Sequence, residues 1–393
     1  RSEKIGITPI FTDSQNMKIA TIIGARPQFI KAAAVSRAIA THNSNRALPS
    51  VEEILIHTGQ HYDDGMSDIF FRELEIPALR YNLAIGSGPH GRQTGRMLGA
   101  IEEVLRSEKP DWVLIYGDTN STLAGALAAA KLHIPIAHVE AGLRSFNRRM
   151  PEEINRVVAD QLSALLFCPS QNAMDNLAAE GIPPPPNANF KDLTPRVIIT
   201  GDVMADALQF AAAKASSSSR SDILTHLKLQ PQGYLLATVH RAENTDDDQR
   251  LQSILAAFAA LDETVVFPVH PRTRRYLREA DYQPPANLRL IDPVGYFDII
   301  ALEKSARLLL TDSGGMQKEA YWLGIPCVTL RDETEWVETV ASGWNILTGA
   351  DCARIITAVR TCEPPAAHPH LYGDGHAAEK ILLAICQESL NLQ

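Results

Sequence analysis

The sequence predicts an α/β protein built from two Rossmann-like, doubly wound domains. Three observations predict this class. Short apolar runs recur along the 393 residues, each followed by a helical pattern. The runs are nearly continuous in apolar residues rather than alternating, so both faces of each sheet are buried, as in parallel sheets. The eleven runs are too many for one open sheet, and the chain is too long for one core.

In chain order, the first half carries KIATII (18–23), EILIH (53–57), DWVLIYG (111–117), IPIAHVE (134–140) and ALLFCPS (164–170). The second carries RVIITG (196–201), YLLATVH (234–240), TVVFPVH (264–270), NLRLID (287–292), ARLLLTD (306–312) and IPCVTL (325–330). The seam falls in GIPPPPNANFKDLTP (181–195), whose four consecutive prolines continue neither helix nor strand. A first domain at 17–181 is therefore expected, with a second at 182–375. The amphipathic pattern HAAEKILLAICQESL (376–390) reads as a helix that crosses back to the first domain. Residues 1–16 read as an extension, and AKASSSSRSD (213–222) as a loop. No repeat of 20–50 residues is found.

Composition narrows the function. The net charge of −9 provides no excess positive field for a phosphate backbone, so a general nucleic-acid partner is not expected. No apolar run reaches the ~18 residues of a membrane span, and the first residues lack the apolar core of a signal peptide. The five cysteines are scattered and never spaced C-x-x-C. A reducing, cytoplasmic setting is expected, without a zinc ribbon or disulfide framework.

The segment TDSGGMQKEA (311–320) follows a buried strand. A helix starting near Met316 and stopping at Gly324 would put Ser313, Gly314 and Gly315 at a strand's carboxyl end and a helix's amino end. Backbone N–H groups and the helix dipole favour an anion there. Glu319, one turn along, suits the two hydroxyls of a ribose, so the segment reads as a nucleoside-diphosphate site. Two further strand ends carry His240 with Arg241, and His270 with Arg272 and Arg274; they suggest a pyrophosphate cradle. In the first half GARPQFIKAA (24–33) contributes Arg26 and Lys31 in a turn that is not G-x-G-x-x-G, so a dinucleotide cofactor is not indicated. Asp118 and Glu140 close adjacent strands, and Arg144, Arg148, Arg149, Glu152 and Glu153 follow. Clustered carboxylates among cations suit acid/base chemistry.

At these residues the chain resembles the non-hydrolysing UDP-N-acetylglucosamine 2-epimerase family. The matches run in order through GARPQFIK, HTGQHYD (57–63), GDTNSTL, HVEAGLR, PEEINR, VHRAEN, HPRTR, LTDSGGMQKEA and RDETEWVE (331–338). The resemblance implies two Rossmann-like domains facing a central cleft, the glycosyltransferase-B arrangement. It implies a homodimeric enzyme of polysaccharide biosynthesis with a UDP-sugar substrate and neither NAD nor an essential metal. The implied reaction inverts C2 of the sugar, UDP-GlcNAc to UDP-ManNAc. UDP leaves by anti elimination and re-adds to a 2-acetamidoglucal. Asp118, Glu140, Glu152 and His240 are then the catalytic candidates, with no order among the carboxylates. Arg26, Lys31, Arg144, His270, Arg272, Ser313, Gly314, Gly315, Glu319 and Arg331 would hold substrate.

Two departures from the family pattern stand out. Gln60 matches the first glutamine of the family's allosteric segment, but Asp63 stands where the second is expected, which speaks against activation by substrate. The loop RSFNRRMPEE (144–153, read from Arg144) is short and carries Arg148 and Arg149. It resembles the branch acting on UDP-2,3-diacetamido-2,3-dideoxyglucuronate, whose carboxylate an arginine would answer. A UDP-sugar glycosyltransferase of the same fold is the more distant alternative.

Overall fold

A computed structural model of the chain describes residues 16–45, 49–60, 75–182, 195–217 and 223–392. The described residues form two compact units, each around its own parallel sheet.

The first unit contains β1 (Met17–Ile23), α1 (Arg26–Ser44), β2 (Val51–His57), β3 (Tyr81–Asn82), α2 (His90–Glu108), β4 (Trp112–Tyr116), α3 (Asn120–Lys131), β5 (Ile136–Val139), α4 (Pro151–Leu162), β6 (Leu165–Cys168), α5 (Gln171–Ala179) and β7 (Arg196–Ile199). The strand order is β3-β2-β1-β4-β5-β6-β7, and every pairing is parallel. The chain leaves this unit through α6 (Val203–Ser217).

The second unit contains α7 (Ile223–His226), β8 (Tyr234–Thr238), α8 (Ala242–Thr245), α9 (Asp248–Ala259), β9 (Thr264–Pro268), α10 (Pro271–Glu279), β10 (Leu288–Ile291), α11 (Tyr296–Ser305), β11 (Leu308–Thr311), α12 (Gly314–Leu323), β12 (Cys327–Thr329), α13 (Val337–Ala341), β13 (Asn345–Leu347) and α14 (Cys352–Thr361). Its order, β10-β9-β8-β11-β12-β13, is again wholly parallel. In β8, Leu235 and Ala237 enter one core and Tyr234 and Leu236 the opposite one. Burial on both faces explains the unbroken apolar runs. In the first unit Ile54, Ile56, Val113 and Ile115 pack with Met97, Ile101 and Ala124.

The domain boundary differs from the expectation. RVII (196–199) is the last strand of the first sheet, paired with β6. The first unit therefore runs to Ala207, and the second spans Leu208–Leu371. A proline run interrupts local structure but does not decide which sheet the next strand joins; hydrogen bonding to β6 does. Most of that run, residues 183–194, lies outside the described residues.

The C-terminal helix α15 (Ala377–Leu392) belongs to the first unit and packs on α1. Asp206 accepts hydrogen bonds from the N–H groups of Ala377 (3.2 Å) and Ala378 (2.9 Å) at its start. Trp112 Nε1 donates to Ser389 Oγ at 2.8 Å, and Arg196 pairs with the buried Glu388. Among the described residues no helix is long and apolar enough to cross a membrane.

Candidate active site

In each sheet the strand order reverses direction between two central strands, and the crevice beyond their carboxyl ends is where doubly wound folds bind ligands. In the first unit those strands are β1 and β4. Gln28 ties their ends together. Its Oε1 accepts from the N–H groups of Gly24 (2.8 Å) and Ala25 (3.1 Å), and its Nε2 donates to the Tyr116 carbonyl at 2.8 Å.

The centre of this edge is an ion pair between Lys31 of α1 and Glu140, which follows β5. Only 10% and 12% of the two side chains is exposed. Gly117, at φ +58°, forms the floor: a Cβ there would lie 3.1 Å from Glu140 Oε2 and 3.4 Å from Lys31 Nζ. Burial opposes the Lys31 charge, but Glu140, Asp202 and Asp118 outweigh it, and the ammonium is held above its ordinary range. Glu140 itself sits at φ +70°, in the left-handed region that costs a non-glycine residue on the order of 1–3 kcal/mol. The N–H groups of Glu140 (3.1 Å) and Ala141 (3.0 Å) both donate to the Phe167 carbonyl and hold that conformation.

Asp118 lies directly after Gly117. Arg156 Nη2 meets its carboxylate at 2.5 Å, and Asn155 Nδ2 donates to its carbonyl at 2.8 Å. Gln60 is buried on the same edge, its Oε1 accepting from the Ser121 N–H at 3.0 Å and Ser121 Oγ at 2.7 Å. The structure thus brings Asp118, Glu140 and Lys31 together, and adds Asp202 and Arg156, which sequence reasoning did not single out. Asp202 follows β7 just as Asp118 follows β4, so the recurrence of Gly-Asp after a strand was the available signal.

Other expectations are revised. Arg144 is not turned toward this edge: its side chain is fully buried, with Nη1 2.7 Å from Asp160 and Nη2 2.7 Å from Glu180. Asp160 in turn binds His138 Nδ1 at 2.7 Å, and His138 Nε2 lies 2.8 Å from the Gly117 carbonyl. Arg144 therefore braces the scaffold. Glu152 is exposed in the first turn of α4, with no ion pair or hydrogen bond among the described residues. Its neighbour Glu153 is buried and pairs with Arg156, not with Arg148 or Arg149. Both of those arginines are exposed.

In the second unit the reversal lies between β8 and β11. Asp312, fully buried, locks the two loops: the N–H groups of His240 and Arg241 and Asn244 Nδ2 each donate to it at 3.1 Å. His240 Nδ1 lies 3.4 Å from the same carboxylate, and the His270 ring sits 6.4 Å from that of His240. The helix α12 starts earlier than expected, at Gly314. Ser313 is its N-cap, its Oγ accepting from the Met316 N–H at 3.4 Å, so both glycines form the first turn. Ser313, Gly314, Gly315 and Glu319 thus share one helix end and its first turns. At Gly314 a Cβ would lie 2.6 Å from Glu335 Oε1 and 3.3 Å from Trp336 Nε1, so a larger residue there has to move the Glu335 carboxylate. Arg331 Nη1 holds Glu335 at 2.8 Å. Glu319 is buried beside Glu303; burial and the Glu319 charge push the Glu303 carboxyl well above the usual carboxylate range. The side chains of Arg26 and Arg272, and Asp63, lie outside the described residues.

Comparison with known proteins agrees with this geometry. Residues 43–386 match the family model described as UDP-N-acetylglucosamine 2-epimerase. The chain is 53% identical over 371 residues to a UDP-N-acetylglucosamine 2-epimerase homolog of Methanococcus maripaludis, covering 93% of this chain and 98% of that one. It is 50% identical to the UDP-2,3-diacetamido-2,3-dideoxy-D-glucuronate 2-epimerase of Pseudomonas aeruginosa, with the same two coverages of 93% and 98%. Its fold matches the crystal structure of Methanocaldococcus jannaschii UDP-GlcNAc 2-epimerase in complex with UDP-GlcNAc and UDP, with a TM-score of 0.79 at 41% identity, over 94% of this chain and 100% of that one. The chain belongs to the UDP-N-acetylglucosamine 2-epimerase family.

Proposed function

We propose that the protein inverts C2 of a UDP-2-acetamido sugar, converting UDP-GlcNAc to UDP-ManNAc without hydrolysis. The observation that carries this reading is the Lys31–Glu140 pair at the reversal point of the first sheet, with Asp118 beside it, in a chain of this family. The second unit takes UDP. The diphosphate lies at Ser313, Gly314 and Gly315, the ribose hydroxyls on Glu319, and Arg331, His270 and His240 around the leaving group. The first unit supplies the proton-transfer carboxylates. One of them removes the C2 proton while the C1–O bond to UDP breaks, giving 2-acetamidoglucal. UDP then re-adds at C1 as a proton reaches the opposite face of C2. A carboxylate is a weak base for a C–H bond, so its placement and the cations holding departing UDP carry most of the catalysis. Glu152 is the third acid/base candidate on family grounds, and Arg26 and Arg272 complete the substrate set. The same reading makes the protein a cytoplasmic homodimer of polysaccharide biosynthesis, supported by family analogy and the dispersed cysteines.

A second reading keeps the chemistry and changes the sugar to UDP-2,3-diacetamido-2,3-dideoxyglucuronate. Arg148 and Arg149, exposed and without an ion pair among the described residues, and the 50% identical relative favour it.

Proton NMR in D2O tests both. Deuterium entering C2 with growth of the manno product establishes the epimerisation, and the faster of the two substrates names the sugar. No exchange with either, but transfer to an added acceptor, would replace the epimerase reading with a glycosyltransferase.

A further inference from the structure

We propose that Glu153 and Arg156 are positioning residues that join Asp118 to the 145–150 loop in one ion-paired chain, so that the loop sets the position of a proton-transfer carboxylate. The proposal rests on the reading of Asp118 as that carboxylate.

The chain of contacts is continuous. Arg156 Nη2 lies 2.5 Å from Asp118 Oδ2, and its Nη1 lies 2.9 Å from Glu153 Oε2. The guanidinium thus spends its two ends on two different carboxylates. Its planar fork fixes their separation in a way a lysine would not. Glu153 is 1% exposed, and its remaining acceptor sites face the loop. Oε2 accepts from the Ser145 N–H at 2.9 Å and from Ser145 Oγ at 3.0 Å, and Oε1 accepts from the Phe146 N–H at 2.9 Å. That loop carries strain: Phe146 has φ +57° and is 76% exposed, so burial does not compensate its backbone conformation. Charge-assisted bonds from Glu153 do. Beyond Phe146 the loop turns on Asn147, which accepts from the Arg149 N–H at 3.1 Å through its side chain and from the Met150 N–H at 3.0 Å through its carbonyl.

The consequence for proton transfer follows from geometry. Among the described residues, Lys31 pairs directly with Glu140, and Arg156 pairs directly with Asp118 and Glu153. Losing Arg156 removes the direct ion pair that holds the Asp118 carboxylate in place, whereas the Lys31–Glu140 pair is kept. Loss of Glu153 releases the loop and leaves Arg156 held at one end only.

The test compares Arg156→Met, Arg156→Lys, Glu153→Gln and the double variant Glu153→Gln/Arg156→Met with the unaltered protein. The readouts are kcat and KM for C2 deuterium exchange with UDP-GlcNAc, and the affinity for UDP. We expect Arg156→Met to lose about 100-fold in kcat, the size of an ångström-scale misplacement, with UDP affinity held within about twofold. KM for UDP-GlcNAc changes far less than kcat, because the interaction lost is one that matters in the transition state. Added guanidinium, or Arg156→Lys, restores part of the rate. Glu153→Gln also lowers kcat, and the double variant is no slower than Arg156→Met, as members of one chain require. Unaltered kcat in Arg156→Met, alongside an inactive Asp118→Asn, would overturn the positioning role alone. Full activity of Asp118→Asn would overturn the carboxylate reading on which it rests. If Arg156→Met does not fold, Arg156→Lys and Glu153→Gln decide: full kcat in both overturns the proposal.

Discussion

Replacing Lys31 by methionine removes the cation from the most enclosed ion pair of the proposed site while keeping the volume of the side chain. Glu140 is then a carboxylate with 12% of its side chain exposed that has lost the Lys31 ammonium. Removing one member of such a pair costs about 3–5 kcal/mol, because the surviving charge stays desolvated. The surroundings push the value toward the upper half of that range. Asp202 and Asp118 both act on Lys31, so its loss leaves like charges facing each other. For a unit of this size that corresponds to a fall in Tm of roughly 6–20 °C. Glu140→Gln alone is milder, because Lys31 retains the other two carboxylates. The double variant Lys31→Met/Glu140→Gln is more stable than Lys31→Met, with a coupling of about 2 kcal/mol or more. Urea unfolding followed by far-ultraviolet circular dichroism at neutral pH gives the four midpoints of the cycle. The pH dependence supplies a second check. The folded-state pKa of Lys31 lies above its ordinary 10.5, so its stabilisation is fully present below 10.5 and is lost as pH rises through the folded value. The Lys31→Met protein should lack that alkaline loss. A Lys31→Met protein within 0.5 kcal/mol (about the additivity error) of the unaltered one, and additive with Glu140→Gln, would refute the account of this pair.

Three further outcomes are expected. Asp118→Asn and Glu140→Gln should bind UDP within about threefold of the parent, under 1 kcal/mol, yet lose C2 exchange; calorimetry with UDP and NMR in D2O measure the two, and full activity in both variants would sink the assignment. Gly314→Ala puts a methyl group 2.6 Å from Glu335 Oε1. Moving the partly exposed Glu335 off Arg331 costs at most about 1 kcal/mol and should raise the Kd for UDP by up to about fivefold, read by the same titration. Burial pulls the His57 imidazole down from 6.5 to about 4, so the folded protein refuses a proton that the unfolded chain accepts. Its contribution is present above pH 6.5 and falls by about 3 kcal/mol as pH drops toward 4; the stability curve of His57→Gln should be correspondingly flatter over that window.

How much of this was legible in the sequence differs by kind of feature. Strands buried on both faces announce themselves as apolar runs, and all eleven expected runs are strands. The strands β3 and β13, two and three residues long, are too short to carry a period. The domain boundary was misjudged because a proline run reports local geometry, whereas the pairing of Arg196–Ile199 with β6 is a long-range fact. At the candidate site, the residues at strand ends were readable by position: Asp118, Glu140 and Ser313–Gly315. The partners that fix them were not. Arg144 and Arg156 look alike in sequence, yet one is buried against Asp160 and Glu180 and the other holds Asp118. Only the packing of α4 and α5 distinguishes them. Asp312 read as a strand-end residue, but its clasp on two backbone N–H groups across the reversal point needs both strands side by side.

The return of α15 to the first unit bears on how the protein is made. The second unit is one uninterrupted stretch and has all its strands as soon as residue 371 has been synthesised. The first unit has its last strand far earlier but waits for α15: Arg196 and Glu388 are 192 residues apart, and Trp112 and Ser389 are 277 apart. At about 5–20 residues per second, β7 stays without Glu388 for roughly 10–40 s after it emerges. During that interval the face of α1 that α15 covers is open to water and to chaperones, and the second unit is completed before it closes. A chain released after residue 371 would therefore carry a finished second unit joined to an unfinished first one.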